Sequence, residues 1–465
     1  MKVAFNRKTL EKEFGVSEDE NKKVRITHTS GGKLLPYTAT NKNIINDYNA
    51  VVGDLSRNLS GKTYKEFYKD DLFEKVKINV EETDKLPQLH DVINEMFFDE
   101  NQEFVLSHPL LFNYLKKGSN NEKKVADFLS DVLCTEKVKE AIKQEYEKKP
   151  DNILLSLLYD SLPSLAKNNK EKKNRYLTFF PSIEEYFEKD LLFLIKKNLL
   201  VDHFFQLINY YYFFYVTQLI LEIDSMFNYK KKKIQPVYFN VEWETRSKKR
   251  DSYKQGWKMI TAKLPDLFAH INCLTMINHI ESDHEAYFSY KSLKIFIEEE
   301  LIQEEKEYLK QQLDTLNTDY QSYLKDVDWS AKKPIYLNEN EEPALKSVRE
   351  LHHSIAYQFK NSNRNKPSKL FFQGYEDFCQ KFFLKKSGPL GFTLNLDQEN
   401  IIFLTKLCIK SNQKISLNEL FHRMEERGVY FDRETRHHVV QFYDRLNLLE
   451  KKSDSGDAQY VKYIL

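Results

Sequence analysis

From His203 to Leu221 the chain reads HFFQLINYYYFFYVTQLIL, without one Asp, Glu, Lys or Arg. A run this long and this free of charge either crosses a bilayer or is buried within a protein as a helix. Lysines on both sides, including Lys230 to Lys233, meet one requirement of a membrane span. Against it, His203, Gln206, Asn209 and Gln218 would sit in hydrocarbon, and Tyr210, Tyr211, Tyr212 and Tyr215 occupy the middle of the run instead of its ends. The expectation is a buried helix and no membrane partner.

A helix buried all round needs a large core around it. The chain has 465 residues, of which 41% are hydrophobic and 30% charged, a folded composition with room for several domains. Only 12 Gly and 12 Pro are present, too few for the many tight turns of an all-β fold, so helices should dominate. Lys and Arg number 71 against 70 Asp and Glu, a formal charge of +1. That excludes a polycation that coats nucleic acid indiscriminately and leaves only local patches for such binding. Cys134, Cys273, Cys379 and Cys408 are far apart with no CxxC, which fits a reducing cytoplasm. The start MKVAFNRKTLEKEFG lacks the apolar core of a signal peptide, so secretion is not expected.

The resulting fold class is mostly α, with a multi-helical N-terminal and central region and a C-terminal winged helix. Residues 1–235 read as a helical N-terminal domain after an irregular lead-in of about forty residues. Residues 236–330 form a central domain. In it, Pro236 to Glu244 suggests a short β segment, TRSKKRDSYKQGWKMITAKL a basic helix, and Glu304 to Val327 a heptad-like helix. The heptad seam is too short to stand alone, so it should pack on the protein itself. Residues 331–395 read as a helical connector ending in a linker, Lys385 to Gly391.

Residues 396–465 carry the most coherent signals. Ser416 can cap a second helix with Glu419 three residues on and Gly428 as its stop, and Asp432 can cap a third. In that third helix Val439, Phe442, Tyr443 and Leu446 make one apolar face, while Arg433, His437, Gln441 and Asp444 lie opposite and Arg436 flanks them. Two short runs around SDSGD then read as a hairpin. This is the winged-helix order, which places the third helix in the major groove and the wing beside phosphates. Arg433, His437 and Gln441 can reach base edges, with Arg436 beside them; Lys451, Lys452 and Lys462 can meet phosphates. Asp444 in the outward stripe, and Asp454 and Asp457 at the wing tip, suit a protein contact instead. Both readings stay open.

A second basic patch lies in RSKKRDSYKQGWK, where Arg246, Lys248, Lys249, Arg250 and Lys254 are interleaved with Tyr253 and Trp257. Its alternative is a solvated helix face. Other motifs are weaker. Gly61-Lys62-Thr63 lacks the earlier glycine of a phosphate loop, since Ser56 stands there. His270, Cys273, His279, Glu281, Asp283 and His284 diverge on a helix too far to make a metal site. A nuclease-type set such as Asp432 with Glu450 and Lys452 is one of many Glu-x-Lys matches that a Lys- and Glu-rich chain generates.

Three stretches, YYYFFYVTQLIL, YFNVEWETRSKKRD and the terminal LNLLEKKSDSGDAQYVKYIL, together resemble the DNA phosphorothioation-dependent restriction protein DptG (DndG) family. The resemblance runs over nearly the whole chain. It implies a cytoplasmic bacterial subunit acting with the family's F and H partners, which include ATPase or helicase-like components. That assembly restricts DNA lacking the phosphorothioate mark, as antiviral defence. No catalytic motif is carried over. The expected function is a non-enzymatic DNA-binding and scaffolding subunit, with double-stranded DNA and the F and H subunits as partners and no cofactor or metal. A protein-interaction adaptor and a metal-dependent nuclease are the alternatives.

Overall fold

The computed structural model describes residues 3–18, 24–28, 31–66, 68–78, 85–100, 104–168, 175–228, 234–282, 287–410, 412–451 and 459–463. Among them the chain is mostly helical, with a few small sheets. Two compact units form. The first gathers Met1–Ile44, Val216–Asp397 and Gly428–Phe442; the second gathers Ile45–Tyr215, Gln398–Arg427 and Tyr443–Leu465. Residues 396–465 are thus divided between the two.

In the first unit the helices Leu264–Ile277, Gln303–Tyr323, Pro343–Lys360 and Asn365–Phe382 make the core. Phe268 packs on Phe359 and Phe371 at ring-centroid distances of 4.9 and 4.7 Å. The heptad seam serves an intramolecular pair: Leu309, Leu313, Leu316 and Tyr320 are buried, and their helix packs on Pro343–Lys360. Within Pro236 to Glu244, Val237–Tyr238 runs parallel to Val429–Tyr430, and Asn240–Val241 parallel to Asn395 and Leu396.

Three sequence expectations are corrected here. The lead-in is irregular only in part: Val3–Phe5 pairs antiparallel with Ile280–Ser282 and Asn6 caps the helix Arg7–Glu13, while residues 31–47 carry no helix or strand. A three-residue apolar run has too little periodicity to be read as a strand without its distant partner. The basic segment is not one helix but two short ones, Asp251–Lys254 and Trp257–Thr261. Gly256 separates them, pressed so close that an added Cβ would meet Ser252 O at 2.3 Å and Tyr238 O at 2.7 Å. Lys385 to Gly391 is not a linker but the turn of a hairpin between Leu384–Lys386 and Phe392–Leu396, with Gly388 and Gly391 at φ of 54° and 73°.

In the second unit, the helices Tyr48–Ser60, Asn120–Leu133, Glu136–Glu147 and Pro181–Lys196 pack on one another. Gly61 closes the first of them in the left-handed conformation (φ 66°), so Gly61-Lys62-Thr63 is a helix end. A three-stranded antiparallel sheet places Gln459–Lys462 between Lys414–Ser416 and Leu449–Lys451.

The charge-free run lies in one helix, Leu200–Ser225, and most of its buried polar groups find protein partners. In the second unit Tyr211 donates to Asp190 at 2.7 Å, Tyr210 donates to the Arg427 carbonyl, and Tyr215 accepts from Phe179 N at 3.0 Å. In the first unit Thr217 meets the Tyr375 hydroxyl at 2.5 Å, and Gln218 exchanges two hydrogen bonds with the Gln235 backbone. Among the described residues no helix is long and apolar enough to cross a membrane.

Asp190 is fully buried. Arg427 grips it with both ends of its guanidinium (Nε to Oδ2 2.8 Å, Nη2 to Oδ1 2.7 Å), and Lys410 Nζ lies 2.9 Å from Oδ1. Burial opposes the charged carboxylate, but Arg427, Lys410 and Tyr211 outweigh it and hold Asp190 below the usual carboxylate range. Asp190→Ala leaves two cations without their counter-charge and should lower stability by about 3–5 kcal/mol. Tyr211→Phe removes one donor and should lower it by about 1–3 kcal/mol. Urea unfolding at neutral pH measures both, and a wild-type midpoint for Asp190→Ala would contradict this account. Because the folded pKa lies below the unfolded value of about 3.9, the contribution is complete above that value and lost as pH falls through the folded pKa. The gap between wild type and Asp190→Asn should therefore narrow on acidification.

Candidate nucleic-acid interface

The last helix, Arg433–Arg445, begins at Asp432, whose Oδ1 accepts from Thr435 N at 3.0 Å, as its capping role required. The same carboxylate is held by Arg250, from Nη2 to Oδ1 at 2.6 Å and from Nε to Oδ2 at 3.0 Å. Arg250 Nη2 also lies 2.9 Å from Glu244 Oε2 and 2.6 Å from Thr435 Oγ1. Thr435 in turn donates to Glu244, at 3.0 Å to Oε1. Trp243 packs on Phe442 with ring centroids 4.9 Å apart, against the helix's apolar face. The segment from Val237 to Arg250 is therefore the seat of the helix within the first unit.

This arrangement brings together two patches that are remote in the sequence. Arg250 sits between exposed Lys249 and the start of Asp251–Lys254; its partner Asp432 precedes exposed Arg433. Arg250 is itself withdrawn from solvent, with only 6% of its side chain exposed, so its expected role as a DNA contact is corrected to that of a clasp. Burial works against its charge, and Asp432 and Glu244 restore it. Burial likewise opposes the Asp432 carboxylate, yet the bonds from Arg250 and Thr435 hold it far below the usual range. For Glu244 burial prevails and pushes the carboxyl up, with Arg250 opposing.

The remaining predicted residues divide as follows. Lys248, Lys249 and Lys254 are exposed. Arg246 is half-buried and bonded to Asn395, with Nε to Oδ1 at 3.2 Å, so it braces the segment more than it faces outward. On the helix Arg433, His437 and Gln441 are exposed on one stripe, and the Gln441 amide lies 2.9 Å from His437 Nε2. Arg436 is half-buried and donates to the Phe431 carbonyl at 3.2 Å. Glu434 and Asp444 are exposed on the same helix. Lys451 ends a strand of the terminal sheet in the second unit, and Lys452, Asp454 and Asp457 lie outside the described residues.

Sequence reasoning missed Glu244, Thr435 and Asn395, because the contacts Glu244–Thr435, Arg250–Thr435 and Arg246–Asn395 each join residues well over a hundred positions apart. Asp432 has both oxygens occupied by Arg250, which removes it from any nuclease-type metal set. His270, from the possible metal cluster, stacks on His352 at 3.8 Å in the core, where burial pushes His352 down to about 4. Asp283 and His284 lie outside the described residues, and among those described no group of three such side chains could hold a metal. Chemically, the site offers exposed ammonium and guanidinium groups around a rigidly seated helix end, suited to a polyanion.

Arg250→Ala leaves Glu244 and Asp432 facing each other without a cation and should destabilise the protein by about 3–5 kcal/mol. Lys248→Gln with Lys249→Gln, both at the surface, should change stability by no more than about 0.5 kcal/mol. Thermal unfolding distinguishes them; equal melting of the Arg250 variant and wild type would refute the clasp.

Neither a scan of known protein-family models nor a search of curated proteins finds a match to this chain, so the geometry and the residues themselves carry the functional reading.

Proposed function

We propose that this chain is a non-enzymatic DNA-binding and scaffolding subunit of a bacterial restriction complex, and that residues 396–465 form a winged helix whose third helix, Arg433–Arg445, faces the DNA. The observation that carries this reading is the clasp. It sets exposed Lys248 and Lys249 beside the start of the helix that presents Arg433, His437 and Gln441. Phosphate neutralisation and base-edge contact then come from one place. The winged-helix part is supported by element order, since Gln398–Ile409, Lys414–Ser416, Leu417–Glu426, Arg433–Arg445 and a final hairpin follow one another. It is also supported by strand order, with the final strand between the other two. The link to restriction, and the F and H subunits as partners, rest on the resemblance of the three sequence stretches to the DptG family.

A protein-interaction adaptor is the second reading, favoured by the exposed Glu434 and Asp444 on the outward helix. The test uses point variants of the whole chain, because residues 396–465 contribute to both units and their deletion would damage each. Duplex binding should weaken linearly in log K against log salt, and Lys248→Glu with Lys249→Glu should reduce that slope by about 2 if each lysine meets one phosphate. Arg433→Ala and Gln441→Ala should each cost about 1–3 kcal/mol on a preferred sequence and relax specificity. Absence of duplex binding at low salt, with a protein that remains folded, would leave the adaptor.

A further inference from the structure

The terminal sheet of the second unit carries an unusual arrangement of like charges. Lys462 and Lys414 are direct cross-strand partners. The next pair along, Tyr463 and Gln413, is joined by a hydrogen bond from Tyr463 N to Gln413 O at 2.8 Å. In an antiparallel ladder the pairs alternate, so Lys462 and Lys414 form a non-hydrogen-bonded pair, the kind whose side chains stand closest. Like charges directly opposite one another destabilise a sheet. The alternate residues Ile415 and Val461 face inward and are buried, which turns both lysines outward.

A third lysine joins them from elsewhere in the chain. Lys197, just past the helix Pro181–Lys196, stands with its ammonium 5.2 Å from the centre of the Tyr463 ring. Lys197, Lys414, Lys462, Gln413 and Tyr463 line an open hollow of about 400 Å³ with Glu450 as the carboxylate. Lys414 takes that carboxylate at 2.7 Å. Among the described residues Lys462 donates to the Asn447 carbonyl, at 3.2 Å. Among the described residues that line the hollow, three ammonium groups thus stand with one carboxylate.

We infer that this hollow is a phosphate-binding subsite that takes a phosphodiester of a nucleic-acid backbone, held between Lys197 and Lys462 with Lys414 as the flanking charge. An anionic oxygen placed there relieves the part of the cross-strand repulsion that Glu450, paired with Lys414, leaves uncompensated. The site lies at the end of the sheet away from the Lys451 and Gln459 pair, and Lys197 comes from outside residues 396–465. The inference rests on the nucleic-acid reading proposed above.

The test compares wild type, Lys197→Gln with Lys462→Gln, and Lys462→Arg as full chains binding a short blunt DNA duplex across about 50–200 mM salt. The double variant should lose about 1 from the salt slope for the phosphate released, with a several-fold weaker affinity at the low-salt end, while Lys462→Arg keeps the wild-type slope. Its melting temperature should equal or exceed that of wild type at low salt, because a like-charge pair has been removed. A wild-type slope in the double variant, with duplex binding still sensitive to Lys248→Glu and Lys249→Glu, overturns the subsite and leaves the nucleic-acid reading standing. A wild-type chain that binds no duplex overturns both.

Discussion

Asp190, a carboxylate without solvent contact, has Arg427, Lys410 and Tyr211 on its two oxygens, and the rest of the second unit is arranged around satisfying them. A buried ion pair is weak evidence of stability for its own sake, since a well-packed apolar group often does as well. Its consequence here is placement. Successive residues of a helix point about 100° apart, so Tyr210 and Tyr211 face different directions. One phenol donates to the Arg427 carbonyl and the other to the carboxylate that Arg427 grips. Only one rotation of the tyrosine helix satisfies both. A sliding or rotated helix would strand a phenol or a charge in the core, at a penalty comparable to a protein's whole margin of stability.

Arg250 repeats the device in the first unit with a different result. It pins Asp432, so the start of the last helix is fixed before any ligand arrives. Rigid presentation reduces the ordering that binding would otherwise demand. Arg250 and Arg427 are both buried, and each decides where neighbouring residues are held.

Periodicity and capping chemistry are local, and what they encode was legible. The helical class, the buried charge-free run, the inward seam of Gln303–Tyr323, and the caps Ser416 and Asp432 all follow from residues within a few positions of one another. What depends on distant contact was not legible. Val3–Phe5 is a strand only because Ile280–Ser282 lies beside it, and the Tyr238 carbonyl that helps to deny Gly256 a Cβ lies 18 positions earlier. The same distinction runs through the candidate site. The basic character of Arg250 is plain in the sequence, but two carboxylates, one of them 182 positions away, turn it from a surface cation into an interior clasp. Lys197 and Lys414 went unnoticed because neither belongs to a run of charge, and only the sheet register and the end of a remote helix bring them to Lys462.

A chain with a formal charge of +1 has no large net attraction for a polyanion. For the nucleic-acid binding proposed above, selection would have to come from charges fixed at short range, inside the screening distance of about 8–10 Å. Opposed lysines on a sheet serve that purpose better than the same lysines scattered on loops. Their mutual repulsion is built in by the backbone register, so an anion that enters gains both its own attraction and the relief of that repulsion. The acidic neighbour sharpens the effect. On the proposed reading, Glu450 beside the hollow would repel an anionic chain that does not place its phosphates at the lysines. Mixed charge is thus compatible with nucleic-acid binding, provided that the carboxylates mark where phosphate may not go.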